Sequence, residues 1–126
     1  MEPQITVLVV DDDQSMVKTI CDILRIKGYD AKPACCGEEA VEKVKGDGPD
    51  CVLMDLRMPG IDGIETLKRI KEIKRDLPVV LMSAYATGEQ ADEARRHGVH
   101  AVLAKPIDIP AVLLLLSRLG NDELKP

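Results

Sequence analysis

Cys51-Val52-Leu53-Met54-Asp55 sets four apolar residues ahead of a carboxylate. Val7-Leu8-Val9-Val10 likewise runs into Asp11-Asp12-Asp13, and Val79-Val80-Leu81-Met82 stops at Ser83. A fourth and less bulky stretch, Ala101-Val102-Leu103-Ala104, ends at Lys105-Pro106. Runs of this length, apolar at every position, suit strands covered on both faces of a parallel sheet. In an open parallel sheet the carboxyl ends of the strands line the ligand crevice. The four runs therefore carry carboxylates, one hydroxyl and one ammonium to the same rim.

Between these runs lie helix-like segments. Gln14 to Lys27 predicts a helix with Met16, Ile20, Ile23 and Leu24 on one face and Gly28 as its stop. A less apolar second strand is expected near Tyr29 to Ala34, followed by a short helix from Gly37 to Lys45 with Ala40, Val41 and Val44 inward. Met58-Pro59-Gly60 makes a turn before a helix from about Gly63 to Lys74. Thr87 and Gln90 read as a capping box for a helix over Glu89 to His97, which has only Ala91 and Ala94 to bury. Asp108 caps the last helix, with Pro110 in its first turn. Five strands alternating with five helices predict a doubly wound α/β domain. The whole chain, 1–126, is expected to be one domain, with its core over about residues 4–119 and a frayed tail over 120–126.

Only two residues are aromatic, both tyrosine, so the core must be built from Val, Leu, Ile, Ala and Met. The formal charge of −5, with basic residues scattered among acids, argues against direct nucleic-acid binding. No charged-then-apolar leader opens the chain, and the longest apolar run, Ala111 to Leu116, falls far short of the roughly 20 residues of a membrane helix. The expectation is a cytoplasmic protein without a membrane partner. Cys21, Cys35, Cys36 and Cys51 contain no Cys-x-x-Cys pair, and the adjacent Cys35-Cys36 offers no zinc spacing. They read as free thiols in a reducing compartment. His97 and His100 flank Gly98 outside helical spacing, so no shared metal is expected there.

Asp11, Asp12 and Asp55 at neighbouring strand ends concentrate three negative charges, of which Lys105 offsets one. Two like charges about 4 Å apart repel by roughly 4 kcal/mol at an effective dielectric of 20. The remainder calls for a divalent cation or raised pKa values. Oxygen donors, with no His or Cys at these positions, favour Mg2+ over zinc. Asp13 reads as the cap of the following helix.

Taken together, Val9-Val10-Asp11-Asp12, Asp55-Leu56-Arg57-Met58-Pro59-Gly60 with Asp62-Gly63, Met82-Ser83-Ala84 and Lys105-Pro106 make the chain resemble a response-regulator receiver domain of two-component signalling over nearly its whole length. The resemblance implies the flavodoxin-like strand order 2-1-3-4-5, with five helices on both faces of the sheet. It also implies a domain that catalyses its own phosphorylation and dephosphorylation rather than a metabolic enzyme. Asp55 is then the phosphoacceptor, served by a sensor histidine kinase. Asp11, Asp12, Asp55 and the Arg57 backbone carbonyl hold Mg2+, while Ser83 and Lys105 meet phosphoryl oxygens. Arg57 and Tyr85 occupy positions that tune dephosphorylation, and a cis Lys105–Pro106 bond aims the lysine.

The pattern departs from the family at Val102, where receivers usually carry the Tyr or Phe of a rotating switch. A β-branched side chain cannot swing in that manner. The last helix is unusual as well. Val112, Leu115, Leu116 and Leu119 share a face, which leaves Leu113 and Leu114 directed elsewhere. They are expected either as surface leucines or as part of a homodimer or downstream-partner face built by the last two helices. Phosphorylation is expected to change protein contacts through those helices and strand five. Two other functions stay open at this stage. One is a haloacid-dehalogenase-like phosphohydrolase using Asp11 within Asp11-Asp12-Asp13-Gln14-Ser15, which leaves Asp55 idle. The other is an inert receiver fold that only binds.

Overall fold

The computed structural model describes residues 5–46, 48–84 and 87–124, with side chains through residue 119. Strands β1 (Thr6–Val10), β2 (Asp30–Ala34), β3 (Cys51–Asp55), β4 (Val79–Ser83) and β5 (Ala101–Ala104) alternate with helices α1 (Gln14–Ile26), α2 (Gly37–Lys45), α3 (Gly63–Ile73), α4 (Glu89–Arg96) and α5 (Ile109–Leu124). All strand pairs are parallel, and the sheet order is β2-β1-β3-β4-β5. This is the flavodoxin-like arrangement.

Period-two alternation along the strands divides the core between two layers. Leu8, Val10, Val52, Met54, Val79 and Leu81 face α2, α3 and α4, where Ala40, Val44, Leu67, Ile70 and Ala94 meet them. Val7, Val9, Leu53, Val80 and Met82 face α1 and α5, against Ile20, Leu24, Val112 and Leu116. Burying a side chain of this size contributes about 1.5–3 kcal/mol. Each central strand is therefore anchored from above and below, and its carboxyl end is held firmly. Pro33, which has no N–H, sits in the edge strand β2, where the missing donor is tolerated.

Several expectations are corrected. The buried stripe of α1 is Val17, Ile20, Cys21 and Leu24, an i, i+3, i+4, i+7 set, and Met16 and Ile23 only flank it. No Thr87 capping box forms. The N-cap of α4 is Gly88 at φ 106, which has no side chain to cap with, so Thr87 falls one position outside the cap. Leu113 is half-buried and packs into the α1/α5 layer, whereas Leu114 stands out at 55% exposure. As expected, α4 buries only Ala91 and Ala94. Helix α5 continues through Leu124.

Candidate functional site

Register places the candidate groups. Val10 of β1 lies beside Met54 of β3, so Asp11 and Asp55 each follow a paired position on adjacent strands. Asp55 is itself opposite Met82, and Ser83 opposite Ala104, which sets Ser83 and Lys105 on the same rim. The Lys105 N–H donates to the Ser83 carbonyl at 2.7 Å, extending that pairing past β5. The Lys105–Pro106 bond is cis.

Carboxylate oxygens of Asp11, Asp12 and Asp55 lie within 4.8 Å of one another. Asp11 and Asp55 are buried, at 2% and 7% exposure, and Asp12 is open to solvent. Lys105 Nζ stands 3.1 Å from Asp55 Oδ1 and 3.9 Å from Asp11 Oδ2. Asp11 Oδ1 accepts the Asp13 N–H at 3.0 Å. Its Oδ2 is a buried oxygen with no hydrogen-bond partner among the described residues. Burial is the main force raising the Asp11 pKa to about 6, and the Asp55 charge adds to it. The Asp13 N–H and Lys105 act in the opposite direction. Three converging oxygen donors, one of them orphaned, suit a hard divalent cation.

Local structure holds this rim in place. Asp13 caps α1 by accepting the Met16 N–H at 3.1 Å, in the role assigned to it from sequence. Asp62 caps α3 by accepting the Glu65 N–H at 2.9 Å. Gly63 donates to the Leu56 carbonyl at 2.8 Å. A Cβ at Gly63 would lie 2.7 Å from Leu56 Cα and 2.9 Å from the Asp55 carbonyl oxygen. Only glycine lets α3 start this close behind Asp55. Of the remaining candidates, Arg57 is exposed on the segment after β3, and Val102 is half-buried against the α2/α3/α4 layer. Tyr85 lies outside the described residues. Residue-type reasoning missed the backing role of Gly63, although the Asp62-Gly63 pair marks the helix start.

Cys21 and Cys51 are buried free thiols, and burial pushes Cys51 up to about 12. No described helix is long and apolar enough to cross a membrane.

Comparison with known proteins agrees with this geometry. Residues 7–117 match the family model described as the response regulator receiver domain. The chain is 43% identical over 114 residues to the transcriptional regulatory protein ZraR of Klebsiella oxytoca, covering 90% of this chain and 26% of that protein. It thus spans about a quarter of that regulator's length. It is 35% identical over 106 residues to sporulation initiation phosphotransferase F of Bacillus subtilis (strain 168), covering 84% of this chain and 86% of that one. Among solved structures, the CheX-CheY-BeF3-Mg+2 complex from Borrelia burgdorferi matches with a TM-score of 0.83 and 31% identity, covering 91% of this chain and 88% of that one.

Proposed function

The chain belongs to the response-regulator receiver domains, the phosphoacceptor switches of two-component signalling, and from that premise we propose that Asp55 is the residue that accepts the phosphoryl group. Receiver domains are phosphorylated by histidine kinases, so the donor assigned to Asp55 is a phosphohistidine. The carrying observation is the meeting of Asp55 with Asp11, Asp12 and Lys105 at one rim of the sheet.

In the proposed step an Asp55 carboxylate oxygen bonds to phosphorus as the histidine N–P bond breaks, and the imidazole retains the electron pair and takes up a proton. The product is an acyl phosphate. Lys105, 3.1 Å from Asp55, holds a positive charge where negative charge accumulates, and its ammonium suits phosphate as a point charge. Ser83, at the end of the adjacent strand, supplies a hydroxyl donor to a phosphoryl oxygen. Asp11, Asp12, Asp55 and the Arg57 carbonyl are assigned to Mg2+, which supplies charge neutralisation for the incoming phosphoryl group. The orphaned Asp11 Oδ2 supports that assignment.

Phosphorylation is read out, on this proposal, through β5, α4 and α5. Helix α4 rests on two buried alanines, so small forces can displace it. Val102 replaces the usual aromatic, which shifts the burden of coupling to backbone movement of β5 and α4. Leu114 marks α5 as a partner or homodimer face. Arg57 and Tyr85 are assigned to phosphoryl lifetime, and the cytoplasm to the protein's location.

Acetyl phosphate labelling in Mg2+, followed by mapping of the reduced aspartyl residue, tests this reading. Label on Asp55, abolished by Asp55→Asn, is the expected outcome. Label on Asp11 would transfer the chemistry to the phosphohydrolase alternative, and no label under any small donor would leave a binding module.

A further inference from the structure

Cys35 follows β2 and Cys36 opens α2, and the phosphoryl chemistry uses neither thiol. Their sulfur atoms and a Glu39 carboxylate oxygen lie within 4.8 Å of one another. Cys36 holds the N-cap position of α2 yet makes no capping bond. Ser, Thr or Asp is preferred there, so this chain places a thiol where a capping oxygen is usual. Glu39 is already oriented, because Oε1 accepts the Cys35 N–H at 2.8 Å and Lys43 Nζ stands 3.2 Å from Oε2. A carboxylate has about four lone-pair directions and keeps room for another partner. Cys35 is exposed, and Cys36 and Glu39 are half-buried.

We propose that Cys35, Cys36 and Glu39 form a site for a thiophilic divalent cation of the Zn2+ type, distinct from the oxygen-donor site at Asp11, Asp12 and Asp55. Soft sulfur donors select such an ion against Mg2+. A tetrahedral ion about 2.3 Å from each sulfur sets ligand atoms roughly 3.8 Å apart. The three donor atoms already lie within 4.8 Å of one another, and water takes the fourth position. Two thiol protons leave on binding. Two thiolates and one carboxylate then exceed the ion's charge by one, and the Lys43 ammonium beside Glu39 offsets the excess.

The site adjoins the phosphoacceptor rim on two sides. A cleft of about 340 Å³ is lined by Asp11, Cys21, Cys35 and Glu39. The carbonyl of Ala34, next to Cys35, accepts the Asp11 N–H at 3.2 Å. From the other side, the first turn of α2 presses on the segment after Asp55. A Cβ on Gly37 would lie 2.1 Å from Thr66 Oγ1 and 2.7 Å from Ile61, and one on Gly60 would lie 3.1 Å from Glu38. An ion clamping the start of α2 is thus mechanically tied to both Asp11 and the loop that follows Asp55.

Equilibrium dialysis of the 126-residue chain against Zn2+, in millimolar Mg2+ and with a reductant that does not chelate, tests the proposal. One ion per chain is expected, bound at least roughly 100-fold more weakly by Cys35→Ser/Cys36→Ser. Co2+ substituted into the unaltered chain is expected to give a thiolate-to-metal charge-transfer band, so the result does not rest on the folding of a variant. Equal Zn2+ uptake by the double variant, loss of uptake in Asp11→Asn instead, or no thiolate band would each overturn it. Labelling of Asp55 is read separately, so failure here leaves the phosphoacceptor assignment standing.

Discussion

Replacing Asp11 by Asn should stabilise the metal-free domain, by an amount that grows with pH. Asp11 is 2% exposed, and its pKa stands at about 6 against an ordinary 3.8. The folded state therefore binds more protons than the unfolded chain between those two values, so raising the pH through that window removes stability. Each pH unit of difference corresponds to about 1.4 kcal/mol. The penalty carried by the native carboxylate is then about 1.5 kcal/mol at pH 5 and about 3 kcal/mol at pH 8. Asparagine keeps the oxygen that accepts the Asp13 N–H and replaces the orphaned Oδ2 with an uncharged amide nitrogen, which can donate to the neighbouring carboxylates. Relaxation around the site trims the gain, so about 1–3 kcal/mol is expected at pH 8. Urea unfolding in EDTA at pH 5 and pH 8 measures the difference as a shift in midpoint at constant slope. Added Mg2+ should stabilise the native chain and leave Asp11→Asn largely unmoved. A variant equal to or weaker than the native chain in EDTA at pH 8 would refute the account of a strained, cation-seeking acid pair.

Lys105→Ala removes the ammonium 3.1 Å from Asp55 and leaves two buried carboxylates without their cation. The expected cost is about 1–3 kcal/mol in metal-free unfolding, together with a large fall in the acetyl phosphate labelling rate; retention of the native rate would remove Lys105 from the site. Gly63→Ala drives a methyl into the Asp55 and Leu56 backbone, so about 1–3 kcal/mol of lost stability and slower labelling should appear together. A stable, normally labelled variant would show that the start of α3 does not support Asp55. Leu114→Glu alters an exposed side chain, so stability should change by no more than about 0.5 kcal/mol while self-association in sedimentation weakens. An unchanged sedimentation profile retires the α5 face as a homodimer surface.

Four apolar runs ending in Asp11, Asp55, Ser83 and Lys105 determined the parallel sheet and which residues stand at the rim proposed as its site. Burial on both faces of β1, β3 and β4 leaves those strands no place for polar residues until their ends. The edge strand β5 is only half-buried and departs from that expectation. Asp13 as a cap was equally legible, because capping is local. What depended on packing was not. The buried face of α1 was displaced from Met16 and Ile23 to Val17 and Cys21, since two side chains of similar hydropathy are separated only by the layer they meet. Leu113 and Leu114, alike in sequence, were divided by that same criterion. Cys35-Cys36 had no metal spacing as a string, and only the first turn of α2 brought Glu39 to within 4.8 Å of both sulfurs. The orphaned oxygen of Asp11 and the glycine wedged behind Asp55 belong to the tertiary structure alone, because both are defined by which atoms of distant segments come near and which do not.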